Sequence, residues 1–465
     1  MVLTVQVCAV IAAIAAIRTA RTPQGAVGWV VFLLAAPYVA LPLFLVLGHS
    51  RYPGYAAARR SSARIVRAID RFGKDHQTTL ADGDEATAHT AKAFEALAAL
   101  PVVSGNGARV LVDGKATFDA IFQAIDQAQS YVLVQFYIVR DDEVGRALKE
   151  RLIAKARAGC TVRLLYDALG SHGLDRGYLD ALGEAGVIVR DFHSLRRPRS
   201  RFQINFRNHR KIVVVDGQVG FVGGHNVGDE YLGGDKRLTP WRDTHVRLEG
   251  PVVAQLQLVF LEDWYWCTEE QLSLQWLPDR AAADVNALVL ASGPADDVET
   301  GTLYFLNAID AAKHRIFIAS PYFVPDGAII AALQLAALRG VDVRIVVPDA
   351  RDHLLVWLAA FAYFDEVRAA GVTILRYSEG FMHQKVVLVD DTFASIGSIN
   401  LDNRSCRLNF EVTAIMFDRA VVNDVAEMLE ADMAKSRRHD TPLNKLPNRL
   451  VRLGAPFARL FAPIL

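Results

Sequence analysis

No two cysteines in this chain stand at CxxC spacing, and Cys8, Cys160, Cys267 and Cys406 are all there are in 465 residues. Such scarcity excludes a disulfide framework and a thiolate zinc site, and reads as packed, reduced thiols. There is no surplus of charge either. Lys plus Arg and Asp plus Glu both number 51, which argues against a surface given over wholly to nucleic acid. Carboxylates do not cluster at magnesium-ligand spacing, so neither a metal nor a cofactor is expected. The length exceeds the roughly 100 to 200 residues of one domain, and at least two compact units are expected.

Apolar sequence is abundant, 52% of the chain, and its excess lies at the front. Gly25 to Gly48 runs 24 positions without a charge, enough to cross a hydrocarbon core of about 30 Å, with bends possible at Pro37 and Pro42. Val2 to Ile17 adds 16 more uncharged residues. Together they predict a transmembrane helical hairpin over 1–48, with spans at 2–17 and 25–48. A cleaved signal peptide fits less well, because no basic segment precedes Val2 and a second apolar run follows at once. Arg18 and Arg21 lie in the turn, but Arg51, Arg59, Arg60, Arg64 and Arg67 follow the second span. That bias predicts a multi-pass membrane protein with its working portion in the cytoplasm.

Residues 49–100 read as a helical connector, with helical periodicity in EATAHTAKAFEALAAL. Beyond it SYVLVQFYIV, EVGRALKERLIAKARAG and CTVRLLYD read strand, helix, strand. HRIFIASPYFV, IIAALQLAALRG and VDVRIVVPD read the same way in the second half. Tyr137 aligns with Tyr322 at an offset of 185 and Gly159 with Gly340 at 181. A repeat this long predicts two duplicated α-β-α domains, 101–275 and 276–440, instead of a solenoid. The tail, 441–465, places Leu446, Leu450, Leu453, Phe457 and Leu460 at helical spacing beside Arg449, Arg452 and Arg459. It reads equally as an interfacial amphipathic segment or as a helix packed on the body.

The chemistry sits in one pattern written twice. NHRKIVVVDGQVGFVGGHN and MHQKVVLVDDTFASIGSIN each run from a histidine, His209 or His383, to an asparagine 17 positions on, at an offset of 174. Between them lie Lys211 and Asp216 in one copy, Lys385 and Asp390 in the other. KIVVVD and KVVLVD read as strands buried on both faces, each closed by a short turn. Two such frames predict that His209, Lys211 and Asn226 converge with His383, Lys385 and Asn400. One imidazole can attack phosphorus and form a covalent intermediate. The other can protonate a departing alkoxide and take a proton from the incoming alcohol. Lysines, asparagines and Ser398 would hold the non-bridging phosphate oxygens.

These are HKD motifs, and the chain resembles the phospholipase D superfamily, above all its bacterial cardiolipin synthases. RTPQGAVGW, QFYIV, WRDTHVRLEGP, SPYFVPD and LDNRSCRLNFE extend the likeness over nearly the whole chain. The resemblance implies phosphatidyl transfer from one phosphatidylglycerol to another through a phosphohistidine, giving cardiolipin and glycerol. It implies an active site of His209, Lys211, Asp216, His383, Lys385 and Asp390, with the two aspartates in a structural part. It further implies that Asp243 in WRD and Glu411 in NFE orient the imidazoles. By analogy His209 attacks and His383 is the acid and base, although in a twofold site the roles are interchangeable. The first copy departs from the pattern: Gly224 stands where a hydroxyl is usual, which puts one phosphate-side hydrogen bond in doubt, and His225 beside it reads most simply as exposed.

Arg196, Arg197, Arg199, Arg201, Arg207 and Arg210, with Phe202 and Phe206 between, form a basic stretch suited to anionic lipid headgroups. Trp264 to Trp266 reads more readily as helix packing than as an interfacial cluster. The expected partners are phosphatidylglycerol, other anionic phospholipids and the membrane, without nucleic acid and with oligomeric state open. Competing readings are a phospholipase D that delivers the intermediate to water, an HKD endonuclease, and a non-catalytic lipid-binding protein. Intact His, Lys and Asp in both copies speak against the last.

Overall fold

The structure, a computed structural model, describes residues 2–20, 22–48, 55, 85–193 and 205–465. Much of the connector and of the basic stretch, Arg196 to Arg201, lies outside them.

Val2–Thr19 is an 18-residue apolar helix, about 27 Å long and sufficient to cross a membrane. The next apolar run is not one helix. It divides into Pro23–Ala35 and Pro37–Leu47, with Ala36 at φ −137° and ψ 59° between them. Pro37 causes the break: its ring keeps the preceding residue out of the helical region, and its own fixed φ suits a first helical turn. Each piece, about 20 and 17 Å long, falls short of a bilayer core. All three helices pack together through Ala13, Ala16, Leu33, Ala40 and Phe44.

A single mixed sheet organises the rest. From one edge its strands run Ser436–Arg438, Thr373–Tyr377, Asp342–Pro348, Arg315–Ala319, Val386–Val389, Phe393–Gly397, Asn409–Phe417 and Val285–Ser292. Val285–Ser292 then pairs antiparallel with Val103–Val112, at the middle of the sheet. Beyond it come Thr244–Glu249, Val219–Gly223, Ile212–Val215, Tyr131–Phe136, Thr161–Tyr166 and Ile188–Asp191. Setting the edge strand Ser436–Arg438 aside, the second series mirrors the first.

Both faces of this sheet are buried. Tyr131 and Leu133 join one apolar cluster while Val132 and Val134 join another, and Ile212 and Val214 are likewise divided from Val213 and Val215. Continuous apolar runs are what a strand needs when neither face meets water. The strand, helix, strand units occur in each half. Tyr131–Phe136 pairs parallel with Thr161–Tyr166 across helix Glu143–Arg157, and Arg315–Ala319 with Asp342–Pro348 across helix Gly327–Leu338.

Trp264 and Trp266 lie buried in helix Val252–Thr268. The helix Glu85–Ala98 docks through Phe94, fully buried against Tyr304, Phe393 and Phe417. Phe94→Ala is expected to cost about 3–5 kcal/mol, read as a lowered denaturant midpoint at unchanged m-value.

Candidate active site

Each motif is a β-hairpin. Ile212–Val215 pairs with Val219–Gly223 in the first, Val386–Val389 with Phe393–Gly397 in the second. Going out along four residues and back again brings His209 and Lys211 to the same end as Asn226, and His383 and Lys385 to the same end as Asn400. The aspartate falls at the turn, roughly 13 Å away along the strand.

Asp216 and Asp390 are therefore not brought to the imidazoles. Asp216 accepts backbone N–H donors from Gln129, Ser130 and Tyr131 at 2.7–2.8 Å. Asp390 does the same for Lys313, His314 and Arg315 at 2.7–2.9 Å. Both take positive φ, 52° and 49°, a conformation Asp tolerates better than most residues. Their geometry ties the hairpin turn to the start of the neighbouring strand.

Two short ladders bring the halves together. Arg207–Asn208 pairs with Asn409–Phe410, so the next residues, His209 and Glu411, stand opposite one another. Trp241–Arg242 pairs with Phe381–Met382, which sets Asp243 opposite His383. The backbone N–H of His209 donates to the Phe410 carbonyl at 2.9 Å, and that of His383 to the Arg242 carbonyl at 2.7 Å. His209 Nδ1 lies 2.9 and 3.0 Å from the Glu411 carboxylate oxygens, and His383 Nδ1 lies 2.7 Å from Asp243 Oδ2. Each imidazole thus meets a carboxylate from the opposite half of the sheet. A carboxylate on Nδ1 selects the Nδ1–H tautomer and leaves the Nε2 lone pair for chemistry.

His209 and His383 line one cavity of about 570 Å³ together with Asn226, Tyr137, Tyr231, Trp241, Tyr322 and Asp352, among others. Burial, against the pull of Glu411, lowers the His209 pKa to about 4. Burial and then Lys385, against the pull of Asp243, lower that of His383 to about 3. Both rings are consequently neutral in the free pocket near pH 7. Although burial raises the Asp243 carboxyl, Lys385, His225 and His383 together hold it below the usual carboxylate range. Burial likewise raises Glu411, and His209 and Lys211 outweigh it.

Lys211 and Lys385 are buried directly behind the rings. Lys211 Nζ donates to the His209 carbonyl at 2.6 Å, and Lys385 Nζ donates to the His383 carbonyl and lies 2.8 Å from its Nδ1. Desolvation lowers Lys385 to about 8, and lowers Lys211 as well. Asn226 Nδ2 donates to the Tyr231 hydroxyl at 2.8 Å, and Asn400 is buried with its Oδ1 unpartnered.

Three expectations are revised here. Ser398 is engaged within the protein: its hydroxyl donates to Glu411 Oε2 at 2.5 Å and accepts from Val412 N–H. His225 is fully buried, its Nδ1 3.1 Å from that of His245. Arg210 faces inward, not toward lipid. It donates to Asp263 at 2.6 Å and, from the other half, is accepted by the Glu411 carbonyl at 3.1 Å. Phe206 is buried as well.

Gly224 has a steric reason. A Cβ there would stand 1.9 Å from Asp243 Oδ1, so the carboxylate occupies the space a serine side chain would need. Other cavity residues escaped the sequence reading. Tyr137 stands edge-on to His209 with centroids 5.1 Å apart, Trp241 lies 5.2 Å from His383, and the Tyr322 hydroxyl donates to Asp352. The Tyr137–Tyr322 alignment was the available signal for two of them.

The profile of the family described as "Cardiolipin synthase, PLD-like domain" matches residues 121–264 and 305–433. The chain belongs to that family. It is 48% identical to a cardiolipin synthase A of Pseudomonas fluorescens over 452 residues, 96% of this chain and 93% of that protein. A cardiolipin synthase A of Pseudomonas putida is 47% identical over 466 residues, covering 99% and 97% of the two chains. Among solved structures, a phosphatidylserine synthase of Haemophilus influenzae superimposes with a TM-score of 0.62 at 16% identity, over 81% of this chain and 100% of that one. At that identity the likeness concerns the fold alone.

Gly224→Ser should cost about 1–3 kcal/mol by overpacking and shift the Asp243 carboxylate away from His383. Thermal unfolding reads the first effect, and loss of the His383 Nδ1–H signal in ¹⁵N NMR the second. In the unaltered protein both imidazoles should stay neutral as pH is lowered to about 5, since protonation waits for their depressed pKa values.

Proposed function

We propose that the chain is a phosphatidyltransferase that makes cardiolipin from two molecules of phosphatidylglycerol, releasing glycerol. One observation carries the reading: two neutral imidazoles, each held at Nδ1 by a carboxylate of the opposite half, share a cavity backed by two buried lysines.

In the first step His209 Nε2 attacks the phosphorus of one phosphatidylglycerol and forms a P–N bond. The bond from phosphorus to the headgroup glycerol breaks, and the departing oxygen takes a proton from His383 Nε2. In the second step a headgroup hydroxyl of another phosphatidylglycerol gives its proton back to His383 and attacks phosphorus. The P–N bond breaks, cardiolipin leaves, and both imidazoles return to their starting state. Burial keeps His383 neutral in the empty pocket, so its Nε2 takes up a proton from solvent as the substrate binds, the phosphodiester anion favouring an imidazolium beside it. Glu411 and Asp243 act as positioning residues that hold Nδ1 and stabilise the cation. Lys211, Lys385, Asn226 and Asn400 take the non-bridging oxygens. Ser398 serves that set indirectly, by holding Glu411.

We further read residues 101–275 and 276–440 as duplicated phospholipase D-like domains, which the mirrored strand order supports. Residues 1–48 form a membrane hairpin in which Pro23–Ala35 and Pro37–Leu47 make one bent return span. Residues 49–100 connect it to a cytoplasmic body at a bacterial inner membrane.

Incubating the purified chain with phosphatidylglycerol vesicles should yield cardiolipin and glycerol by mass spectrometry, whereas phosphatidic acid as sole product would replace transfer by hydrolysis. His209→Ala and His383→Ala should each abolish product, and retained activity in both would refute the pocket. Raising pH through about 8 removes the Lys385 charge, so kcat/KM should fall on that alkaline limb. Lys385→Arg, whose cation does not titrate there, should lack the limb at whatever activity it keeps.

A further inference from the structure

The helix Arg449–Arg459 is apolar on two opposite sides. Its inner side, Val451, Ala455 and Ala458, is buried against the helix Leu354–Arg368. Its outer side carries Leu450, Leu453, Phe457 and Leu460, which are 54%, 69%, 70% and 75% exposed. A surface helix normally turns charge outward, and a contiguous apolar stripe left in water marks an interaction surface.

Position and charge identify what covers it. The two helices run side by side in parallel: a Cβ on Gly454 would lie 3.3 Å from Leu358, and the Arg459 guanidinium lies 4.6 Å from the Tyr363 ring centroid. Both pairs differ by 96 positions, which sets Leu450 level with Leu354. Leu354 opens its helix directly after Asp352 and His353, and those two residues line the cavity that holds His209 and His383. Leu354 and Leu355 are themselves exposed. The apolar stripe therefore starts beside the cavity and leads away from it. From residue 441 to 465 the chain carries Lys445, Arg449, Arg452 and Arg459 and no acidic residue. Basic residues beside an apolar stripe match an anionic bilayer, where such a helix lies in the interface plane with its apolar side sunk about 5–10 Å.

We propose that the outer face of Arg449–Arg459 docks on an anionic phospholipid leaflet and sets the cavity at the level of the headgroups. The proposal rests on the reading of the substrate as a bilayer phospholipid. A hydrophobic N-terminal helix alone tethers the body but leaves its orientation free. A second, in-plane contact beside the cavity turns the histidines toward lipid and shortens the path a phosphodiester must travel out of the leaflet.

The test uses the full chain in vesicles, with Cys8→Ser and a spin label on Phe457→Cys. In phosphatidylglycerol vesicles the label should collide with dissolved oxygen and be shielded from a water-soluble nickel chelate. A label on Asp180→Cys, beside the far edge strand Ile188–Asp191, should stay open to nickel. Equal nickel access at both positions overturns the proposal. So does shielding of the first label from oxygen and nickel alike, which would mean that protein covers the face. Leu453→Gln, Phe457→Gln and Leu460→Gln combined should raise KM for vesicle phosphatidylglycerol about ten-fold and leave turnover of dispersed short-chain phosphatidylglycerol unchanged. Equal losses on both substrates would again overturn it. If the unaltered chain turns over neither lipid, the proposed function fails, while the label depth still reads the docking.

Discussion

The candidate site of this chain hangs on two crossed hydrogen bonds, His209 to Glu411 and His383 to Asp243. The paired residues are 202 and 140 positions apart in sequence. Because each imidazole borrows its carboxylate from the other half of the sheet, neither half contains a complete site. The short ladders Arg207–Asn208 with Asn409–Phe410, and Trp241–Arg242 with Phe381–Met382, set the register of that exchange. A slip of one residue in either would turn the carboxylate to the opposite side of its strand.

Around these bonds the charges nearly balance. Two buried lysines face two buried carboxylates, and the imidazoles between them stay neutral because burial outweighs their anionic neighbours. A phosphodiester anion bound beside the lysines would add one negative charge to that balance. The proposed substrate supplies that charge, and with it the reason for His383 to accept a proton. Arg210 adds a mechanical link: it is buried against Asp263 in its own half and hydrogen-bonded to the Glu411 backbone in the other. That second bond adds one more tie between the two halves beside the crossed imidazole–carboxylate pairs.

The twofold likeness of the site is imperfect, and one methylene accounts for the difference. Glu411 is long enough to leave room for Ser398, whose hydroxyl steadies it. Asp243, one carbon shorter, brings its carboxylate into the space beside Gly224. The missing hydroxyl of the first copy is thus the counterpart of a shorter acid in the same half, and the two histidines sit in related but unequal environments.

Much of this was legible in advance. The twin frames that set an asparagine 17 positions after each histidine, the apolar runs KIVVVD and KVVLVD and the strand, helix, strand order all depend on near neighbours, and the periodicity of the chain reports near neighbours faithfully. Other features were misread for the same reason. Arg210 belongs to a basic stretch yet points inward, and Ser398 fits a phosphate ligand by type but reaches Glu411 first. The sequence by itself determined the paired His, Lys and Asn frames, the hairpins that carry them and the apolar front of the chain. Only the tertiary structure decided which carboxylate meets which histidine, because contacts across 140 to 202 positions are selected by how two sheet halves pack and leave no local pattern behind.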